Sequence, residues 1–238
     1  MASTTSFAQC PKPQREWFYF PAKQPVLIDG KIEFIKEEYD FIKEIMDENS
    51  FQKITRTYYK DKNHVYFKYI RDICSSRPCL VETFHLIEDA DPQTFKVLKY
   101  SEFEIWKESE LYPYSYDKSR VYYDGFPIEN ANPKTFKPLN SIYSTDGERV
   151  FYKNCEIESV DLQTFKVSGD GYYSFAYDKH FLYFHYQKEK IDIETFEVFA
   201  DRGSRCSDKR YVFYLIGTSF DGHIEKKRKL FIFRNKNR

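Results

Sequence analysis

A chain of 238 residues with 37 acidic side chains, five histidines and five cysteines holds ample raw material for chemistry, and only spacing can select among it. The most regularly placed acids are Asp61, Asp117, Asp146, Asp178 and Asp208, and a row of carboxylates suggests calcium first. A calcium loop alternates acids along one short segment, whereas four of these are followed by Lys and Asp146 by Gly147. Turn capping is therefore the expected role. His180 and His185 flank one aromatic strand, where alternation sends them to opposite faces. With His64, His85 and His223 they read as turn or surface histidines, so no metal is expected. Cys74 and Cys79 are spaced for a local bridge or half a zinc site, but no second pair completes it. Five cysteines, an odd number, suggest free thiols. No cysteine lies in a local nucleophile signature, and neither GxGxxG nor GxxxxGK[ST] occurs, so no nucleotide and no cofactor is expected.

The same acids open a repeat. The chain reads Asp61, Lys62, Asn63, His64, Val65, Tyr66, Phe67, then Asp117 to Tyr123, Asp146 to Tyr152, Asp178 to Phe184 and Asp208 to Tyr214 in the same pattern. Successive aspartates are 56, 29, 32 and 30 residues apart. A second signature keeps step between them: Asp91, Pro92, Gln93, Thr94, Phe95, followed by copies beginning at Asn132, Asp161 and Asp192. The first signature predicts a hairpin turn before a strand of aromatics, and the second a single helical or type I turn. No such module can bury its aromatic face alone, so modules must stack or pair in series. An aromatic content of 19% favours strands. The expected fold is mainly β, an array of antiparallel aromatic hairpin repeats, meander or solenoid-like, with a closed barrel or propeller as the alternative.

Three regions depart from the period. Residues 33–48 carry Phe34, Ile35, Phe41, Ile42, Ile45 and Met46 at helical spacing and predict one amphipathic helix that caps the sheet. The first module carries insertions around residues 68–83 and 100–110. The last thirteen residues hold seven Lys or Arg and no acid around a short strand, Leu230 to Phe233, and are expected to protect the final strand edge. This divides the chain into an arm and capping helix (1–52), repeats (53–225) and a basic tail (226–238).

The recurrent turn and strand resembles the bacterial DKNYY family over residues 56–216, most nearly at Asp61, Lys62, Asn63, His64, Val65 and Tyr66, and departs from it at Gly147. The resemblance implies no activity and no catalytic residue. It implies association with accessory or antitoxin-type proteins encoded beside toxins. The net charge is zero, which argues against a dedicated nucleic-acid binder, and no stretch is long and apolar enough for a membrane span or a secretory signal. A cytoplasmic location and no membrane insertion are expected. From Glu82 to Glu110 eight acids face three lysines. Glu102, Glu104, Glu108 and Glu110 are read as an acidic lure for a basic toxin surface, with Trp106, Tyr112 and Tyr114 as aromatic anchors. The expected function is a non-enzymatic immunity protein that occludes a cognate toxin, with carbohydrate or cell-wall binding as the alternative.

Overall fold

The computed structural model describes residues 5–6, 26–28, 31–33, 45–72, 80–99, 112–169, 174–185, 187–199, 205–217 and 222–229. Within them the protein is mainly β, and its antiparallel sheets stay open. The chain divides into two compact units. One comprises Pro11–Pro138 and Lys153–Cys155 and holds the first two repeats. The other comprises Met1–Cys10, Leu139–Tyr152 and Glu156–Arg238 and holds the last three.

Each repeat starts as a hairpin closed by its signature aspartate. In the third, Tyr143–Thr145 pairs with Val150–Tyr152, and Asp146 Oδ1 accepts the Glu148 and Arg149 amides at 3.0 and 2.8 Å. In the second, Tyr114–Tyr116 pairs with Val121–Tyr123, which turns at Asp124 and Gly125 into Phe126–Pro127. Those turn residues have φ of 49° and 81°, the left-handed pair that a tight type I′ turn requires. Lys153 and His185 hold the same place in the third and fourth repeats, at 55° and 52°. The second signature then makes its short turn, a 3-10 turn at Ile193–Thr195 in the fourth repeat.

The expected insertion at 68–83 is a lengthened hairpin, Val65–Asp72 against Leu80–Leu86, at the centre of a six-stranded sheet. The second insertion lies outside the described residues. So does most of the expected helix. Lys31–Glu33 is a strand, residues 34–44 are not described, and Met46 packs with Tyr59, Tyr66 and Phe84. The tail's first basic residues extend the last strand, Gly222–Arg228, while Leu230 to Phe233 fall outside the described residues.

A single packing rule builds the core inside each unit. Counted from the signature aspartate, positions −3, +4 and +6 of one repeat face positions −2 and +5 of the next. Tyr143, Val150 and Tyr152 meet Ala176 and Tyr183, and Phe175, Leu182 and Phe184 meet Cys206 and Phe213. In the other unit Tyr58, Val65 and Phe67 meet Tyr122. All are buried. The strand after each aspartate must thus carry large side chains on both faces, which accounts for much of the aromatic content.

Gly125 shows how tightly the first two repeats fit. A Cβ there would lie 2.7 Å from the Phe67 Cβ, on a residue whose φ already disfavours L side chains. Gly125→Ala should lower stability by about 1–3 kcal/mol, measured by urea unfolding. Gly147, with φ of 91° but open space around it, should tolerate Asn with little change.

Candidate functional site

The two signatures meet in space, and the pairs Asp91 with Asp117, Asp161 with Asp178 and Asp192 with Asp208 each form an interlocked clasp. In the fourth repeat Asp178 Oδ1 accepts the His180 and Phe181 amides at 2.7 and 2.8 Å. Its Oδ2 accepts the Asp161 amide at 3.0 Å and the Tyr183 hydroxyl at 2.7 Å. Lys179, next to Asp178, pairs with the Asp161 carboxylate, and its amide donates to Thr164 Oγ1 at 3.1 Å. The recurrent Asp, Lys, Asp and Thr are therefore the parts of one joint.

The joint recurs in both units. Asp117 and Lys118 clasp Asp91 and Thr94, with the ion pair at 2.9 Å. Asp208 and Lys209 clasp Asp192 and Thr195. Tyr66 and Tyr122 donate to Asp61 and Asp117 as Tyr183 does to Asp178. The third repeat has Phe151 at that place, and Arg149 Nη1 reaches Asp146 Oδ2 at 3.1 Å instead. There Gly147 stands where other repeats have Lys, and Asn132 where they have Asp, so both members of the charge pair change type together.

One clasp escaped the sequence. Asp47, Glu48, Asn49, Ser50 and Phe51 form a copy of the second signature with Ser in place of Thr. The Asp47 amide donates to Asp61 Oδ2 at 2.9 Å, the Lys62 amide to Ser50 Oγ at 3.0 Å, and the Lys62 ammonium pairs with Asp47. The signal was the Ser-Phe pair, hidden because residues 33–48 suggested a helix.

The electrostatics follow the hydrogen bonds. The Lys118 ammonium first, then the Gln93 amide and Thr94 hydroxyl, hold Asp91 down to about 2. Lys62, Lys179 and Lys209 depress Asp47, Asp161 and Asp192 in the same way. Burial pushes Asp61 and Asp117 up, but the donors around each outweigh it and the net shift is down. A carboxylate engaged by four donors has no lone pair left for a substrate or a cation. Chemically, the clasps hold turns in place.

The most perturbed acid lies elsewhere. Burial raises Asp124 to about 7 against the opposing influence of Lys153, whose own ammonium burial depresses. Tyr58 is beside this pair, its hydroxyl donating to the Pro113 carbonyl at 2.8 Å, and its ionisation is raised by burial and then by Asp124. An acid whose folded value is raised contributes most stability below its unfolded value and loses it as pH climbs. Asp124 therefore weakens the fold progressively from about pH 4 to 7. Asp124→Asn keeps a favoured turn residue before Gly125 and should stabilise by on the order of 2 kcal/mol at pH 8 but not at pH 4, read from thermal melts.

The sequence-derived binding residues fall in two groups. Glu102, Glu104, Trp106, Glu108 and Glu110 lie outside the described residues. Tyr112 and Tyr114 are buried, and the Tyr114 ring packs on Tyr123 and Phe136 at 5.2 and 5.5 Å. As core residues they present no exposed ring, so the expected anchoring role is not visible in either. Tyr114 stands at position −3, like the buried Tyr58 and Tyr143, a correspondence readable in the sequence. Among the histidines His180 is exposed, while His185 is buried with Nδ1 3.0 Å from the Tyr152 hydroxyl. Burial pushes His85 down to about 4. Among the described residues no group of three or more His, Cys, Asp and Glu is placed to hold a metal ion, and no helix is long and apolar enough to cross a membrane.

The cysteines divide. Cys206 is free and buried, with burial pushing its thiol up to about 12, a poor nucleophile. Cys155 is disulfide-bonded, its partner lying outside the described residues. Free thiols, expected from the odd count, hold for Cys206 and fail for Cys155, because pairing depends on proximity in the fold.

No curated protein and no solved structure matches the chain. The DKNYY family profile matches residues 29–187, a span that contains the clasps of Asp61, Asp117 and Asp178. By that match and by the joint its signature builds, the chain belongs to the DKNYY family.

Proposed function

We propose that this protein is a non-enzymatic binding module, a cytoplasmic immunity protein that neutralises a cognate bacterial toxin by covering its active site. One observation carries the reading. The residues that define the repeat are consumed in clasps, so the signature supports a stiff scaffold whose remaining surface is left for a partner. Membership of the DKNYY family is consistent with it, as the resemblance implies association with accessory or antitoxin-type proteins encoded beside toxins. Occlusion asks for rigidity, because a preordered surface loses little conformational freedom on binding. Mixing the purified chain with the toxin encoded beside it should give a stable complex and abolish the toxin's activity. Absence of a complex at micromolar concentration overturns the reading.

The Cys155 disulfide favours a second reading, an exported carbohydrate or cell-wall binding protein, since disulfides persist in oxidising compartments. Cell fractionation with thiol labelling separates the two. A reduced chain in the cytoplasm supports the first, and an oxidised chain at the cell envelope the second.

A further inference from the structure

We infer that the outer edge of the fourth repeat, the strand Gln187–Lys190, is the docking site for an acidic extended segment of a partner protein, which pairs there as an added strand in exchange for the chain's own Thr5–Ser6. The inference rests on the binding-protein reading above and names the edge and the chemistry of its partner.

The fold itself shows that this edge takes another strand. In two repeats the outer strand of the hairpin sheet receives a segment from elsewhere in the chain. Leu80–Leu86 of the first repeat receives Val26–Ile28, itself half of a hairpin with Lys31–Glu33. Gln187–Lys190 of the fourth receives only Thr5–Ser6, antiparallel, with Thr5 opposite Lys188 and Ser6 opposite Gln187. Glu189 and Lys190 have no partner on that outer side among the described residues. The remaining outer strands are poorer acceptors. Phe126–Pro127 and Cys155–Glu156 are two residues long, the first ending in proline, and Gly222–Arg228 ends in three cations. A pairing of two residues makes few hydrogen bonds, so a longer strand competes for the Gln187–Lys190 edge on favourable terms.

Charge selects the occupant. On one face of the strand Gln187 and Glu189 are taken up by the fifth repeat: Gln187 Oε1 accepts the Ile224 amide at 3.0 Å, and Glu189 pairs with Lys226 at 2.9 Å. Lys188 and Lys190 alternate onto the other face, opposite Tyr183 and Phe181. The Lys188 ammonium lies over the Phe181 ring at 5.2 Å, Lys190 is exposed, and neither makes an ion pair among the described residues. The residues paired beside them on that face, Phe181, Tyr183 and Thr5, include no acid. Carboxylates at alternate positions of an incoming strand would stand opposite both lysines, a pairing that Thr5 does not supply. A second copy offers no such gain. Its first ten residues contain no acid, and its Thr5–Ser6 would only repeat the pairing already in place.

The test titrates the full chain and its variants against the neighbouring-gene toxin by calorimetry and stopped-flow, and follows backbone hydrogen exchange in the complex. Binding to the unmodified chain should raise exchange at Thr5 and Ser6 by about tenfold or more while Gln187–Lys190 stays protected. Thr5→Pro with Ser6→Pro, which removes both amides of the covering strand, should tighten binding by about fivefold. Lys188→Glu with Lys190→Glu should slow association about tenfold at low salt, with the difference closing at high salt. Unchanged exchange at Thr5 and Ser6 in the complex overturns the docking edge and leaves the immunity reading standing, as does a parent-like affinity in the double proline variant or a parent-like association rate in the lysine variant. No complex with the unmodified chain overturns both. A concentration-dependent dimer that the double proline variant fails to form would assign the edge to a second copy, and weaker toxin binding by that variant would assign Thr5–Ser6 itself to the interface. Either result overturns the proposal.

Discussion

Asp178→Ala is expected to lower the unfolding free energy by about 3–5 kcal/mol, more than any single clasp hydroxyl or lysine. The side chain is fully buried, and its removal strands the amides of Asp161, His180 and Phe181 and the Tyr183 hydroxyl. A water filling the vacated space could satisfy two or three of these, which keeps the cost below the sum of four separate losses. Asp178→Asn tests the charge and geometry apart. The amide retains one acceptor but turns a donor toward either the turn amides or the Asp161 amide and Tyr183, so roughly half the loss should remain. Thr164→Ala, which removes one exposed hydrogen-bond acceptor, should cost under about 1 kcal/mol. Urea unfolding of the three variants supplies the comparison, and a loss below 1 kcal/mol for Asp178→Ala would remove the clasp from the stability of the fold.

Acid should unfold this protein steeply in a narrow range. The clasp carboxyls of Asp61, Asp91, Asp117, Asp161 and Asp192 are all held below the ordinary 3.8 in the folded state. A depressed carboxyl contributes stability that is present above its unfolded value and lost as pH falls through its folded value. Their joint contribution therefore drains between about pH 4 and 2, the lower limit set by Asp91. Above pH 4 two groups oppose each other. His85, lowered from 6.5 to about 4, weakens the fold as pH falls across that interval, while Asp124, raised from 3.8 to about 7, weakens it as pH rises. The intervals overlap, so melting temperature should change little from pH 7 to 4 and drop by on the order of 10 °C between pH 4 and 2. Asp124→Asn should tilt the plateau by leaving His85 unopposed. A smooth decline beginning at pH 6 in the unmodified chain would contradict these assignments.

The repeat and the capping role of its aspartates were legible because both are local. An aspartate two or three residues before the amides it accepts can be read from spacing, and the second signature kept step with the first. The clasp between the signatures was not legible, since Asp161 and Asp178 are 17 residues apart and only a folded hairpin brings them together. The same holds for Asp124, where the sequence announces a tight turn but not that the fold desolvates its carboxyl. Tyr114 was the opposite kind of miss. Its alignment with Tyr58 and Tyr143 foretold burial, while its closeness in sequence to the acidic stretch suggested a surface anchor.

The central claim is that the family signature builds joints. Native-state hydrogen exchange at the turn amides of Asp161, Lys179, His180 and Phe181 tests it most directly, because exposed turn amides ordinarily exchange without protection. The clasps predict protection comparable to the strand amides of Leu182 and Tyr183, lost together in Asp178→Ala. Exchange at unprotected rates in the unmodified chain, with the adjoining strands still protected, would contradict the account.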